Sequence, residues 1–156
     1  MADDAYLAAV TMLARRELSE RQIRQRLARK AFAADDVDEA IARLKAERTL
    51  DDARVASAIA RTETGIRKRG PLRVRQKLAA AGITGAAADA AIEEATSQVD
   101  MDALLEAALA RRLGADATID DDRTMSRLYR QLTSQGFEQD RVLRLLRSRR
   151  SRGPGL

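Results

Sequence analysis

Three stretches of the chain line up without gaps: IRQRLARKAF (23–32), VRQKLAAAGI (74–83) and LYRQLTSQGF (128–137). Leu27, Leu78 and Leu132 coincide. Ile23, Val74 and Leu128 stand four residues before them, and Phe32, Ile83 and Phe137 five residues after. Five residues further on come Val37, Ala88 and Val142. The pattern recurs at offsets of 51 and 54 residues. A repeat of this length is one small supersecondary unit. It cannot bury its apolar face alone and has to stack on its neighbours.

The spacing within each repeat reads as helix, turn, helix. Residues four apart share a helix face, so Ile23/Leu27 and their counterparts form an apolar stripe. The position four after the leucine is Ala31, Gly82 or Gly136. Glycine there suits a left-handed residue that closes a helix; Ala31 departs from the pattern, which predicts a less sharp or strained first turn. Phe32, Ile83 and Phe137 are expected to plug back into the core. A second helix follows, carrying Val37/Ile41/Leu44, then Ala88/Ile92/Ala95, then Val142 with Leu145 or Leu146. Ser19 with Gln22 forms a capping box, and Gly70-Pro71 puts proline at a first helical position, where its missing N–H costs nothing. A further helical stretch lies upstream of each pair, at 4–16, 52–66 and 100–113.

The predicted fold class is therefore all-α, with three tandem three-helix (helix-turn-helix-like) repeats in an elongated, curved array. The expected boundaries are 1–48, 49–98 and 99–150, with a disordered tail at 151–156. Composition agrees: Ala, Arg and Leu dominate, all strong helix formers, and the 156 residues include no Trp, two Tyr and two Phe.

The chain has no cysteine and no histidine. That excludes disulfides, thiolate nucleophiles, Cys/His zinc sites and histidine acid–base catalysis. There is no phosphate-binding loop of the G-x-x-x-x-G-K-[ST] type. No apolar run approaches the ~20 residues of a membrane span, and the opening MADDAYLAAV is acidic. A soluble, cytoplasmic, non-enzymatic protein without membrane association is expected.

Charge is segregated. The net charge is only +5, yet residues 67–77 hold Arg67, Lys68, Arg69, Arg73, Arg75 and Lys77 with no acid, and residues 141–152 hold six arginines with no acid. Acids gather at helix starts (Asp35-Asp36, Asp51-Asp52, Asp120-Asp121-Asp122), where carboxylates favour the helix dipole. Capping accounts for them better than cation binding, because no third ligand stands at a useful spacing. Met12, Met101 and Met125 fall at helical spacing with leucines and read as core. Arg73 and Lys77 are four apart, a spacing at which like charges cost roughly 0.2–0.5 kcal/mol, and Lys68 and Arg69 precede a helix start, where cations are also disfavoured. A solvated helix face is the plain reading of such a cluster. The recurrence of Arg24-Gln25-Arg26 as Arg75-Gln76-Lys77 favours an anionic partner. Helix pairs with a short turn loosely fit a DNA-reading motif, although packing explains the same apolar faces. Tyr129 alone is placed to stack on a base, so basic residues tracking phosphates are the stronger nucleic-acid reading.

The run TLDDARVASAIARTETGIRKRGPLRVRQKLAAAGI (49–83) resembles the central module of the RecX family of recombination regulators. The resemblance rests on Asp51-Asp52-x-Arg54, Arg61, Gly70-Pro71-x-Arg73, Leu78 and Gly82-Ile83. LARRELSERQIRQRLARKAF (13–32) resembles the family's opening module and RLYRQLTSQGFEQDRVLRLLR (127–147) its closing one, so the likeness covers about residues 5–150. Val55 and Ala56 stand where the family often has an aromatic, and Ala31 where it often has glycine. The resemblance implies tandem three-helix units that bind the RecA recombinase filament on single-stranded DNA, inhibit ATP hydrolysis and strand exchange, and use no cofactor. Arg67, Lys68, Arg69, Arg73, Arg75 and Lys77 are then the expected contacts to acidic protomer surface or DNA phosphate. Arg24, Arg26, Arg127, Arg130, Arg144 and Arg147 extend them. A monomer acting in DNA repair, recombination and the SOS response is expected. The alternative is a stand-alone nucleic-acid-binding architectural protein using the same basic residues.

Overall fold

The repeated apolar spacing is realised as helices throughout the computed structural model, which describes residues 1–152. The described α-helices are α1 (Ala2–Arg15), α2 (Glu20–Arg29), α3 (Ala34–Ala46), α4 (Asp52–Arg61), α5 (Pro71–Ala80), α6 (Gly85–Thr96), α7 (Met101–Leu113), α8 (Asp122–Ser134) and α9 (Gln139–Ser148). They fall into three successive triplets, and the fold is all-α. Among the described residues the only extended pairing is an isolated bridge between Ile119 and Arg150. The tail expected at 151–156 lies outside the described residues from 153 on. Ser151 is hydrogen-bonded, donating its backbone N–H to the Ile119 carbonyl at 3.1 Å.

By packing, the chain divides into two compact units. Unit 1 is Met1–Ile59 with Lys77–Ala91, and unit 2 is Ala60–Gln76 with the chain from Ile92 onward. The core of unit 1 is built from Ala9, Leu18, Ile23, Leu27, Val37, Ile41, Leu44 and Leu50, flanked by partly buried Tyr6, Met12, Leu13 and Phe32. The core of unit 2 is Leu105, Ala108, Leu109, Ile119, Leu128, Leu132, Phe137, Val142 and Leu146, flanked by Met101, Met125 and Tyr129. The six repeat residues Ile23, Leu27, Val74, Leu78, Leu128 and Leu132 are each 0% exposed. Each such side chain contributes roughly 1.5–3 kcal/mol on burial. Leu145 is half-buried, so Val142 and Leu146 form the α9 stripe.

Start signals act as the sequence predicts. The Ser19 hydroxyl accepts from the Gln22 N–H at 3.2 Å, while the Gln22 side chain accepts from the Ser19 N–H at 3.0 Å, closing the capping box. Pro71 is the first residue of α5. Asp100 and Asp121 cap α7 and α8 by accepting from Ala103 N–H at 3.0 Å and Thr124 N–H at 2.7 Å. One stretch differs. The helix predicted over 52–66 is α-helical only to Arg61 and then widens into a π-helical turn, Thr62–Ile66. Glu63 and Thr64 on that turn are buried polar residues, and such single π-helical turns recur at functional sites.

The glycine turns do more than end helices. In unit 2 the start of α5 lies on the turn that follows α8. The Gly70 N–H donates to the Gln135 carbonyl at 2.9 Å, and the Leu72 N–H donates to the Gly136 carbonyl at 3.0 Å. A Cβ on Gly70 would collide with the Gly136 carbonyl, and a Cβ on Gly136 would collide with the backbone nitrogen of Arg73. Gly136 also has φ +95°. Unit 1 repeats the arrangement: the buried Ser19 hydroxyl, at the start of α2, donates to the Ala81 carbonyl, and a Cβ on Gly82 (φ +82°) would overlap the Arg21 side chain. Ala31 occupies the equivalent turn after α2 at φ +63° and is exposed. Its neighbour Phe32 is only half-buried, whereas Ile83 and Phe137 are fully enclosed.

Gly136→Ala is expected to destabilise the protein by at least about 2 kcal/mol, combining left-handed strain with overpacking against backbone. Ala31→Gly, at a turn of the same conformation with open space, should change stability by less than about 1 kcal/mol. Urea unfolding midpoints of the two variants check this; equal effects would contradict the packing role of Gly136.

Candidate cationic interface

The basic stretch 67–77 begins where the π-helical turn ends. Glu63, only 4% exposed, holds the Arg67 guanidinium at 3.0 Å. The Glu63 carbonyl accepts from the Arg69 N–H at 2.9 Å. Between them Lys68 takes a left-handed backbone (φ +56°), a conformation that a non-glycine side chain adopts only when its surroundings enforce it. This tight turn projects Arg67 and Lys68 into solvent and leaves Arg69 half-buried.

These three residues line a depression of about 530 Å³ together with Ile66, Arg111, Arg112 and Gln135. Five of the seven lining residues are cationic and none is acidic. Arg111 and Arg112 stand in the last turn of α7, where the helix dipole favours positive charge. Arg112 donates to the Ala108 carbonyl at 3.3 Å, and with the Gln135 amide oxygen turned toward it, to Gln135 at 3.0 Å. Arg111 and Arg112 were absent from the sequence-derived candidates. Their signal was the RRLG ending of a helix, which dipole compensation explains equally well.

The remaining candidates separate. Arg73 is half-buried and donates to the Gln76 side chain at 3.1 Å; Arg75 is exposed. Both lie in unit 2, whereas Lys77, half-buried on the same helix, belongs to unit 1. Arg24 is engaged within unit 1, contacting Glu20 at 3.0 Å and Asp38 at 2.5 Å, with Lys45 on the other Glu20 oxygen at 3.1 Å. Arg26 is half-buried and lines a separate cleft. Arg127 and Arg130 are exposed on α8, and Arg144 and Arg147 on α9. Arg144 shares a depression with the acids Asp102 and Glu106, and Arg141 there pairs with Asp102 at 2.7 Å.

The Asp51-Asp52-x-Arg54 element is scaffold. Asp51 accepts from the Ala53 and Arg54 N–H groups at 3.0 and 3.2 Å, and Asp52 reaches across to accept the Glu20 N–H at 2.8 Å. Arg54 holds Glu17 at 2.9 Å and the carbonyls of Arg48 and Thr49 at 3.0 and 3.1 Å. Among the described residues no group of three acidic residues is arranged to hold a metal ion, and no helix is long and apolar enough to cross a membrane.

Comparison with known proteins follows the same lines. A family profile for the first three-helix domain of RecX matches residues 5–44, and one for its second three-helix domain matches residues 51–92. Among curated relatives, Regulatory protein RecX of Halorhodospira halophila is 34% identical over 86% of this chain and 81% of its own length. The protein of the same name from Chromohalobacter salexigens is 33% identical over 86% and 85%. That from Geobacillus kaustophilus is 31% identical, and this chain spans about half its length, 52%. The crystal structure of RecX from Lactobacillus salivarius superposes with a TM-score of 0.76 at 22% identity, covering 94% of this chain and 95% of that one, and so shares the fold.

The Glu20 cluster makes a pH-dependent prediction. Burial pushes the Glu20 carboxyl up, but Lys45 and Arg24 outweigh it and hold the group below its ordinary value. A carboxylate lowered in this way adds stability above its unfolded value and loses it as pH falls through the folded value. Glu20→Gln should therefore be less stable than the parent near neutrality, and the gap in urea midpoint should close below about pH 5. A gap independent of pH would contradict the assignment.

Proposed function

The chain belongs to the RecX family of regulatory proteins, and from that premise we propose that it binds the RecA–single-stranded DNA filament and inhibits ATPase and strand exchange. It acts as a cytoplasmic monomer without catalysis or cofactor, and modulates DNA repair and recombination, including the SOS response. Its three modules, 1–48, 49–98 and 99–150, present separate basic contacts, so that weak individual interactions with a repeating filament add as avidity.

The observation carrying this reading is the acid-free depression around Lys68, Arg69, Arg111 and Arg112. A strained turn and a buried carboxylate hold cations beside one another at some electrostatic cost, which an anionic partner offsets. Arginine and lysine in such a cluster suit either DNA phosphate or carboxylates of a protomer. Arg73 and Arg75 on α5, with Arg127, Arg130, Arg144 and Arg147, supply further basic contacts in unit 2, and Lys77 supplies one in unit 1. Arg24, clamped by two acids, is reassigned to the scaffold, and Arg26 to a different cleft.

The test is RecA ATPase on single-stranded DNA with added protein. The parent should inhibit, and Lys68→Glu combined with Arg111→Glu should need at least about tenfold more protein, a loss on the order of 1.4 kcal/mol, with unchanged helix content by circular dichroism. Unimpaired inhibition by that variant removes the depression from the mechanism. Tight binding to naked DNA with a log–log salt slope of about −0.7 per neutralised phosphate, and no effect on ATPase, would instead establish a stand-alone nucleic-acid-binding protein.

A further inference from the structure

Unit 1 carries a second basic feature, a cleft of about 630 Å³ lined by α1 and α2. Its floor is Ala8, Thr11 and Met12. Ala8 and Met12 are half-buried and pack against the unit 1 core, so the floor is the outer face of that core. Its rim is Arg15, Arg16, Arg26, Arg29 and Lys30, and no lining residue is acidic. Four acids of unit 1 are committed elsewhere: Glu20 and Asp38 to Arg24, Glu17 to Arg54, Glu47 to Arg43.

Leu7 does not line the cleft but stands one turn before Thr11 on the same side of α1. It is 60% exposed, among the few large apolar side chains that are. At about 100° per residue, Leu7, Ala8, Thr11, Met12 and Arg15 cover a continuous arc of about 140° on α1. The result is a largely apolar strip of Leu7, Ala8, Thr11 and Met12, with Arg15 closing its C-terminal end and the cations of α2 along its other edge. A phosphodiester chain has no use for such a floor, and no aromatic lines it to stack a base. An amphipathic helix has use for both parts: apolar side chains at helical spacing for the strip and carboxylates for the rim.

We propose that this cleft docks an acidic amphipathic helix of a partner protein. The apolar face of that helix lies on Leu7, Ala8, Thr11 and Met12, and its flanking carboxylates meet Arg15 and Arg29 from the two sides. The proposal is independent of the filament reading, because binding is measured on this protein alone with no recombinase and no DNA.

The probe is a fluorescein-labelled synthetic helix of about four turns, with leucines on one face and glutamates beside them, followed by anisotropy. The controls are a scrambled peptide of the same composition, oligoglutamate and a single-stranded oligonucleotide. Saturable binding of the amphipathic peptide is expected, with the scrambled peptide at least about tenfold weaker. Arg15→Glu with Arg29→Glu, both exposed positions, should weaken binding by a similar factor. Thr11→Arg adds charge but covers the apolar strip; it should weaken the amphipathic peptide while leaving oligoglutamate unaffected. The proposal is overturned if scrambled peptide or oligoglutamate binds as well as the amphipathic one, if Thr11→Arg binds the peptide as tightly as the parent, or if the oligonucleotide displaces the peptide more effectively than unlabelled peptide. Concentration-dependent self-association that disappears in Arg15→Glu/Arg29→Glu would overturn it as well, by making a second copy the occupant.

Discussion

The seating of a helix start on the glycine turn of the following triplet is the interaction on which the rest of this structure depends. A helix start has N–H groups without partners, and a helix end has carbonyls without partners. At Gly70–Leu72 against Gln135–Gly136 each end supplies what the other lacks, and the opposed ends of the two helix dipoles meet. The approach is close enough that two glycines are required, one on each side. At Ser19 against Ala81 a side-chain hydroxyl takes the place of the backbone donor, and one glycine suffices. Small triplets with modest apolar area are thereby tied to one another by directional bonds as well as by burial.

This seating also alters the electrostatics of the basic stretch. Considered as part of α5 alone, Lys68 and Arg69 oppose a helix dipole. In unit 2 they share a depression with Gln135, which caps the C-terminal end of α8, and with the last turn of α7. Both are helix ends that favour cations. Part of the apparent penalty in the local sequence is therefore cancelled by non-local structure. What remains is the mutual repulsion of Lys68, Arg69, Arg111 and Arg112, since Glu63 pairs with Arg67 alone among the five cations.

Local periodicity made the helices, the buried leucines and the glycine turns readable, because each depends on residues within a few positions of one another. Ser19–Gln22 and Pro71 were readable for the same reason. Pairings between distant positions were not. Glu20 stands four residues before Arg24 on one helix face, but nothing near Arg24 announces that Asp38 also reaches it, and nothing in RRLG places Arg111 and Arg112 beside Lys68. Gly70 was readable as a partner for proline, but not as a residue whose missing side chain admits a carbonyl from another triplet. The π-helical turn was not readable because Thr62–Ile66 continues the helical composition of α4, and the burial of Glu63 and Thr64 depends on the folded packing.

Ala31 has a consequence for assembly. Two of the three equivalent turns are bare at the α-carbon and receive a helix start; the third bears a methyl group and is left uncovered. Stacks of like units have no inherent stopping rule, since every end resembles the one just covered. A methyl group at the receiving position supplies such a rule, because another helix start could not seat there in the same close register. Of the three equivalent turns, Ala31 is thus the one that a helix start cannot cover in the register seen at Gly82 and Gly136.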